Sequence, residues 1–196
     1  MNATRLLVTL MLAGLAGAAS AQGVAQDVQR DVNQQTRIEN GLKSGALTTR
    51  EAAALEHQES RIDRMEARDL RDGTMSAQEQ QRLTQAQNRV SRQISAATHN
   101  GATGDPNSAS SQRMQQAVQR NVNQEQRIQN GVQSGQLTNR EVARLERGQA
   151  RVARREARAG RDGHVGAAEA GAINRSENRQ SARIHRQRHD RQARQG

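Results

Sequence analysis

The sequence predicts an all-α fold on three observations: apolar residues recur at helical spacing, Ser/Thr-x-x-Glu boxes stand where new helices would begin, and the whole pattern occurs twice. The segment Arg37-Ile38-Glu39-Asn40-Gly41-Leu42-Lys43-Ser44-Gly45-Ala46-Leu47-Thr48 returns as Arg127-Ile128-Gln129-Asn130-Gly131-Val132-Gln133-Ser134-Gly135-Gln136-Leu137-Thr138, at an offset of 90 residues. The offset holds without a gap to His99 and His189, and roughly half of the paired positions are identical, more than two unrelated polar helices would share. The expected architecture is two tandem three-helix modules, helix-turn-helix-turn-helix, antiparallel through short turns, with flexible ends.

Each element follows from local signals. In the first copy Val24, Val28, Val32, Ile38 and Leu42 mark one face of a first helix. Thr48 and Glu51 form a capping box ahead of Ala52, Leu55, Ile62 and Met65, a second helix that runs toward Leu70 and stops at Asp72-Gly73. Ser76 and Glu79 form another box, and Leu83, Val90 and Ile94 give the inner face of a third helix. The second copy reads as looser, because Met65, Leu70 and Val90 are replaced by Arg155, Gly160 and Gln180 and its third helix opens with Gly166 and Gly171; it is expected to unfold first.

Composition bounds the rest. There is no Cys, Phe, Trp or Tyr in 196 residues, so neither disulfides nor large aromatic side chains can hold the fold, and the core must be thin. Arg5, the apolar stretch from Leu6 to Ala18 and the small-residue pattern Ala19-Ser20-Ala21 read as a Sec-type signal peptide over residues 1–21, cleaved after Ala21. Helical repeat 1 then occupies residues 22–99, a flexible linker with the chain's single Pro residues 100–112, helical repeat 2 residues 113–190, and a basic tail residues 191–196. No later run is apolar enough to span a bilayer, so a periplasmic or secreted location is expected. The formal net charge is +10, concentrated in the second half, and Lys43 is the lone Lys.

Three sets of residues invite a functional reading. The turns resemble the second half of EF-hand loops: Asn40, Ser44 and Glu51 with Gly45 and Leu47, Asp72 and Glu79 with Gly73, and their counterparts Asn130, Ser134, Glu141, Asp162 and Glu169. The third loop position is Leu42, Leu70, Val132 or Gly160, and Arg68 or Arg158 opens the later turn, so helix capping explains the same residues without a metal. A weak divalent-cation site is the alternative, and no other cofactor is expected. His185 and His189 stand one helical turn apart, ringed by Arg. Arg175, Arg179, Arg183, Arg186, Arg188, Arg191 and Arg194 could engage a polyanion, but without aromatics there is no stacking platform for sequence-specific nucleic-acid binding.

No catalytic constellation is visible: there is no Cys, no Gly-flanked nucleophilic Ser, no phosphate-cradling loop with a Lys and no paired-His zinc motif. Carboxylates are plentiful, and their interleaving with Arg reads as exposed, salt-bridged helix faces. The block R-I-x-x-G-x-x-S-G-x-L-T-x-x-E, followed by R-x-E-A-R, D-G and N-R-x-S-x-x-I, resembles a group of small exported repeat proteins of Gram-negative bacteria that has no assigned activity. The resemblance implies export and the two-copy layout. The expected function is that of a non-enzymatic binding or structural component of the periplasm or envelope. Acidic envelope polymers or a second copy of the chain are the expected partners.

Overall fold

The computed structural model describes residues 13–190, with side chains from Gln22 onward; most of the expected signal peptide and all of the tail at 191–196, with Arg191 and Arg194, lie outside the described residues. Six helices follow one another: α1 (Ala13–Ser44), α2 (Thr49–Asp69), α3 (Ala77–Thr98), α4 (Ala109–Gln133), α5 (Asn139–Ala159) and α6 (Ala167–Arg188). The described residues contain no strand.

The helix starts are set by the expected caps. Thr48, Ser76 and Thr138 each accept a hydrogen bond from the amide of the Glu three residues on, and that Glu reaches back to the cap amide. At α6 the cap is Gly166, whose amide donates to Glu169 Oε2 at 2.8 Å, so a glycine start is tolerated because the acidic half of the box remains. Gly45, at φ +77°, turns the chain between α1 and α2; an L side chain would be strained there. The expected linker at 100–112 is shorter than its composition suggests. Its last residues already form the first turn of α4 behind Ser108, and the amide of Gly104 donates to the Gly45 carbonyl at 2.8 Å, pinning the connection to the first turn.

The two copies do not each close a core of their own. α1 packs along α4 and α2 along α5, both antiparallel: Gln29 meets Gln129 while Lys43 meets Gln119, and residue 53 lies at residue 160 while Asp63 lies at Glu146. The copies are related by an approximate two-fold axis, shown by reciprocal contacts in which Arg50 donates to the Asp162 carbonyl and Arg140 to the Asp72 carbonyl. α3 flanks α1 and α2, and α6 flanks α4 and α5. One apolar cluster joins Ile38, Leu42, Leu47 and Leu55 to Met114, Val118, Ala159 and Val165; the other joins Val24, Val28 and Leu70 to Ile128, Val132, Leu137, Leu145 and Ile184. Each cluster takes side chains from both copies. Neither copy alone covers its stripe, so the copies share their cores, and an order of unfolding between them has no basis in the packing.

The expected looseness of the second copy is compensated in the same way. A Cβ on Gly160 would lie 2.6 Å from Met114 Cε and 2.8 Å from Ala53 Cβ: the space that Leu70 fills beside Val24 is filled here by the longer Met114. Gln180 is 2% exposed, lies over Gly148 and donates to the Leu145 carbonyl at 2.9 Å. Arg155 lies at the surface and donates to the Ala172 carbonyl. Gly160→Leu should therefore overpack this end and cost about 1–3 kcal/mol. A lowered midpoint in urea, partly restored by adding Met114→Val, is the expected outcome. An unchanged midpoint in the single variant would contradict the packing.

Candidate cation site

Between the two apolar clusters the bundle interior is acidic. Along α2, Leu55 belongs to one cluster and Leu70 to the other, and the residues between them that face the partner helices are Glu56, Glu59, Asp63 and Glu66. This spacing of three, four and three residues keeps all four on one helical stripe. α1 contributes Asp27 and Asp31, α4 Glu125, α5 Glu146 and Glu156, and α6 Glu177.

With Glu39, Asp69 and Glu141, thirteen acidic side chains are buried out of 20 in the chain, and no described Lys or Arg is buried. The expectation of exposed, Arg-paired carboxylates is corrected here: three ion pairs occur among the described residues, Lys43 with Glu39, Arg68 with Asp69 and Arg120 with Glu177.

Two nests can be distinguished. The first is made by Asp31, Glu59, Asp63, Glu66, Glu125 and Glu146, one or more from each central helix. Asp63, Glu66 and Glu146 can each place an oxygen so that all three lie within 4.8 Å of one another. Oxygens that near to one another can ligate one cation of calcium size, whose ordinary ligand distance is roughly 2.4 Å. Both oxygens of Glu146 and both of Glu59 lack a hydrogen-bond donor among the described residues, and each side chain is at most 1% exposed. Gln87 closes the nest from α3, its Nε2 3.1 Å from Asp31 Oδ1 and 3.3 Å from Glu66 Oε1.

The second nest is the two-fold counterpart, built from Glu56, Glu156, Glu177, Asn121 and Gln35. Here Asn121 stands for Asp31 and donates to Glu156 Oε2 at 2.8 Å, Ala153 stands for Asp63, and Glu177 stands for Gln87 with Arg120 Nε at 2.7 Å. Gln35 Nε2 donates to Glu56 Oε2. The second nest thus carries its own compensation. The first does not.

Burial is the largest influence on the proton affinity of Asp27, Asp31, Glu56, Glu59, Asp63, Glu66, Glu125, Glu146, Glu156 and Glu177. It raises Glu56 to about 8, with the neighbouring Glu59 adding to the rise, and Glu177 to about 8, with Glu156 adding to it. Glu125 is raised by burial to about 7, against the bond from Gln149, and Asp27 to about 6, against the bond from Gln80. Asp31, Glu59, Asp63, Glu66, Glu146 and Glu156 are raised well above the ordinary carboxylate range, by burial first and by facing carboxylates second. Asp31 and Glu66 sit close enough to share a proton, as do Glu56 and Glu156. An isolated ionised carboxylate in an apolar interior costs tens of kcal/mol by continuum reckoning, and even after relaxation several kcal/mol, against a total stability of about 5–15 kcal/mol. The interior therefore has to hold protons or a cation.

The turns singled out from sequence are placed elsewhere. Glu51 Oε2 accepts from both the amide and hydroxyl of Thr48, and Glu51 Oε1 accepts from Asn100 Nδ2, which holds its pKa down despite partial burial. Glu79 is held low by Ser76, Glu141 caps Thr138, and Glu169 serves the Gly166 amide. Asp72 and Asp162 accept from the amides of Thr74 and His164 within their own turns. Ser44 and Ser134 bond back to the carbonyls of Gly41 and Gly131, and Asn40 and Asn130 are exposed at the helix ends. His185 and His189 stack with ring centroids 4.3 Å apart, and His189 Nδ1 contacts the His185 carbonyl. Among the basic residues, Arg179 and Arg183 enter a recess between α5 and α6, Arg188 bonds Gln136, and Arg175 and Arg186 are exposed.

The interior carboxylates were missed because Arg neighbours in sequence mask their shared stripe. Comparison of the chain with protein-family models, with curated proteins and with solved structures found no match. The fold and the site define a carboxylate-lined helical bundle.

Proposed function

We propose that this is an exported, non-enzymatic binding protein whose ligand is a hard, multivalent cation taken up in the first interior nest. The observation that carries this reading is Glu146: fully buried, without a donor for either oxygen, and converging with Asp63 and Glu66 on one point. The ligand set is all oxygen, since the five His are exposed and Cys is absent, and oxygen ligands select calcium-like, manganese-like or trivalent lanthanide-like ions over soft metals. Three converging carboxylates with Asp31, Glu59 and Glu125 close by favour high charge, because a dication leaves more of their repulsion uncompensated. Export rests on the Ala19-Ser20-Ala21 pattern; a chain starting at Gln22 keeps every buried apolar residue named above. No described helix is long and apolar enough to cross a membrane.

Calorimetric titration of the purified protein at neutral pH with calcium and with lanthanum tests the reading. We expect saturable binding of at least one of the two, weakened by about tenfold or more in Glu146→Gln, a step of roughly 1.4 kcal/mol, and unchanged in Glu51→Gln. Equal loss in Glu51→Gln would move the site to the turns. No saturable heat with either ion would end the proposal.

A further inference from the structure

Drawing acids inward leaves the outside far more basic than the net charge of +10 implies, because seven of the 20 carboxylates remain outside while every described Lys and Arg stays at or near the surface. The excess gathers in one place. A recess of about 290 Å³ between α5 and α6 is lined by Arg151, Arg154, Arg155 and Arg158 from α5 and Arg179 and Arg183 from α6. None of the six is in an ion pair among the described residues, and no carboxylate lines the recess.

The two-fold relation supplies an internal control. The matching face of the first copy carries Arg61, Arg64, Arg68 and Arg89, but Arg68 is tied to Asp69 at 2.7 Å and the other two positions are Met65 and Gln93. In the second copy Asp69 has become Ala159, which frees Arg158, while Met65 and Gln93 have become Arg155 and Arg183. Three substitutions thus convert a partly neutralised face into a row of six unpaired guanidinium groups. Crowding lowers the proton affinity of Arg151 through burial and the nearby Arg183 and Arg147, so the cations repel one another unless an anion lies between them.

We propose that the α5–α6 recess binds an oligophosphate, a ligand with several adjacent phosphates. Guanidinium forks match phosphate oxygens in pairs, and the α5 residues from 151 to 158 extend over about 10 Å, longer than a single phosphate can bridge. No base-stacking side chain is present, so recognition is by charge and spacing alone.

The test is calorimetry of the purified full chain with inorganic tripolyphosphate, with inorganic monophosphate, and with phosphatidylglycerol vesicles. We expect one tripolyphosphate per chain, bound about tenfold or more tighter than monophosphate, with affinity falling steeply as salt is added. Combining Arg155→Met with Arg183→Gln, which installs the first copy's residues, should weaken binding by about tenfold, while Arg89→Gln on the corresponding face of the first copy leaves it unchanged. Circular dichroism checks that both variants keep their helices. Equal weakening by Arg89→Gln would show diffuse surface charge and overturn the proposal, as would absence of saturable heat. Vesicle binding that tripolyphosphate cannot displace would overturn it in favour of a phospholipid surface.

Discussion

Replacing Glu59 and Glu146 together with Leu is expected to make the cation-free protein more stable at neutral pH while removing its response to the cation. Neither carboxylate accepts a hydrogen bond within the described residues, so the exchange orphans no donor, and Leu roughly preserves volume on a helix. Buried charges exchanged for apolar groups of similar size commonly yield about 1–4 kcal/mol, and for a chain of this size each kcal/mol raises Tm by roughly 2–4 °C. The neighbours gain as well. Glu59 raises Glu56, and Glu146 faces Asp63 and Glu66, so removing both relieves repulsion on each side of the nest. Thermal melts with and without lanthanum read both halves of the expectation. A double variant less stable than the parent without cation would show that these carboxylates hold the fold by themselves, and the binding proposal would lose its physical basis.

The cation-free protein should be most stable near pH 4 and lose stability as pH rises to 8. Below about 4 the interior carboxyls hold protons in folded and unfolded chains alike and contribute no difference. Above the unfolded values of 3.8 and 4.5, the unfolded chain releases protons that the folded chain keeps until about 6 at Asp27, about 7 at Glu125 and about 8 at Glu56 and Glu177. The native state binds more protons through this window, so unfolding free energy falls steeply with pH. Glu51 and Glu79 act with the opposite sign: their capping bonds lower their pKa, and the stability they contribute disappears as pH falls through those lowered values. The two slopes place the maximum between them. Urea denaturation across pH 3 to 8 measures it, and a saturating cation should flatten the upper limb by replacing the protons, at about 2.7 kcal/mol for a hundredfold excess over Kd. Stability that climbs from pH 5 to 8 without a cation would refute the interior assignment.

These expectations rest on features of unequal visibility in the sequence. The caps at Thr48, Ser76 and Thr138 are local, since each is made by residues three positions apart, and they stand where the spacing predicts. The apolar stripes of Val24 to Leu42 and Leu83 to Ile94 are also where the spacing puts them. The site was less legible. Glu56, Glu59, Asp63 and Glu66 keep the spacing of a buried stripe, but Arg61 and Arg64 lie between them, and periodicity alone does not say which of two adjoining stripes a partner helix will cover. The recess arginines are divided between Arg151 to Arg158 and Arg179 to Arg183, on helices whose pairing no local signal specifies.

By itself the sequence determined the helical class, the duplication and the capped starts of α2, α3 and α5, because helical spacing and capping are settled within a few residues of chain. Only the tertiary structure decided that the copies interlock, α1 with α4 and α2 with α5, instead of folding side by side. That pairing turns acids of all four central helices toward the interior and leaves the arginines at the surface. The reason is geometric: a carboxylate's partners across the bundle lie up to about a hundred residues away in the chain, and whether it meets water, a guanidinium or other carboxylates depends on which helices close over it.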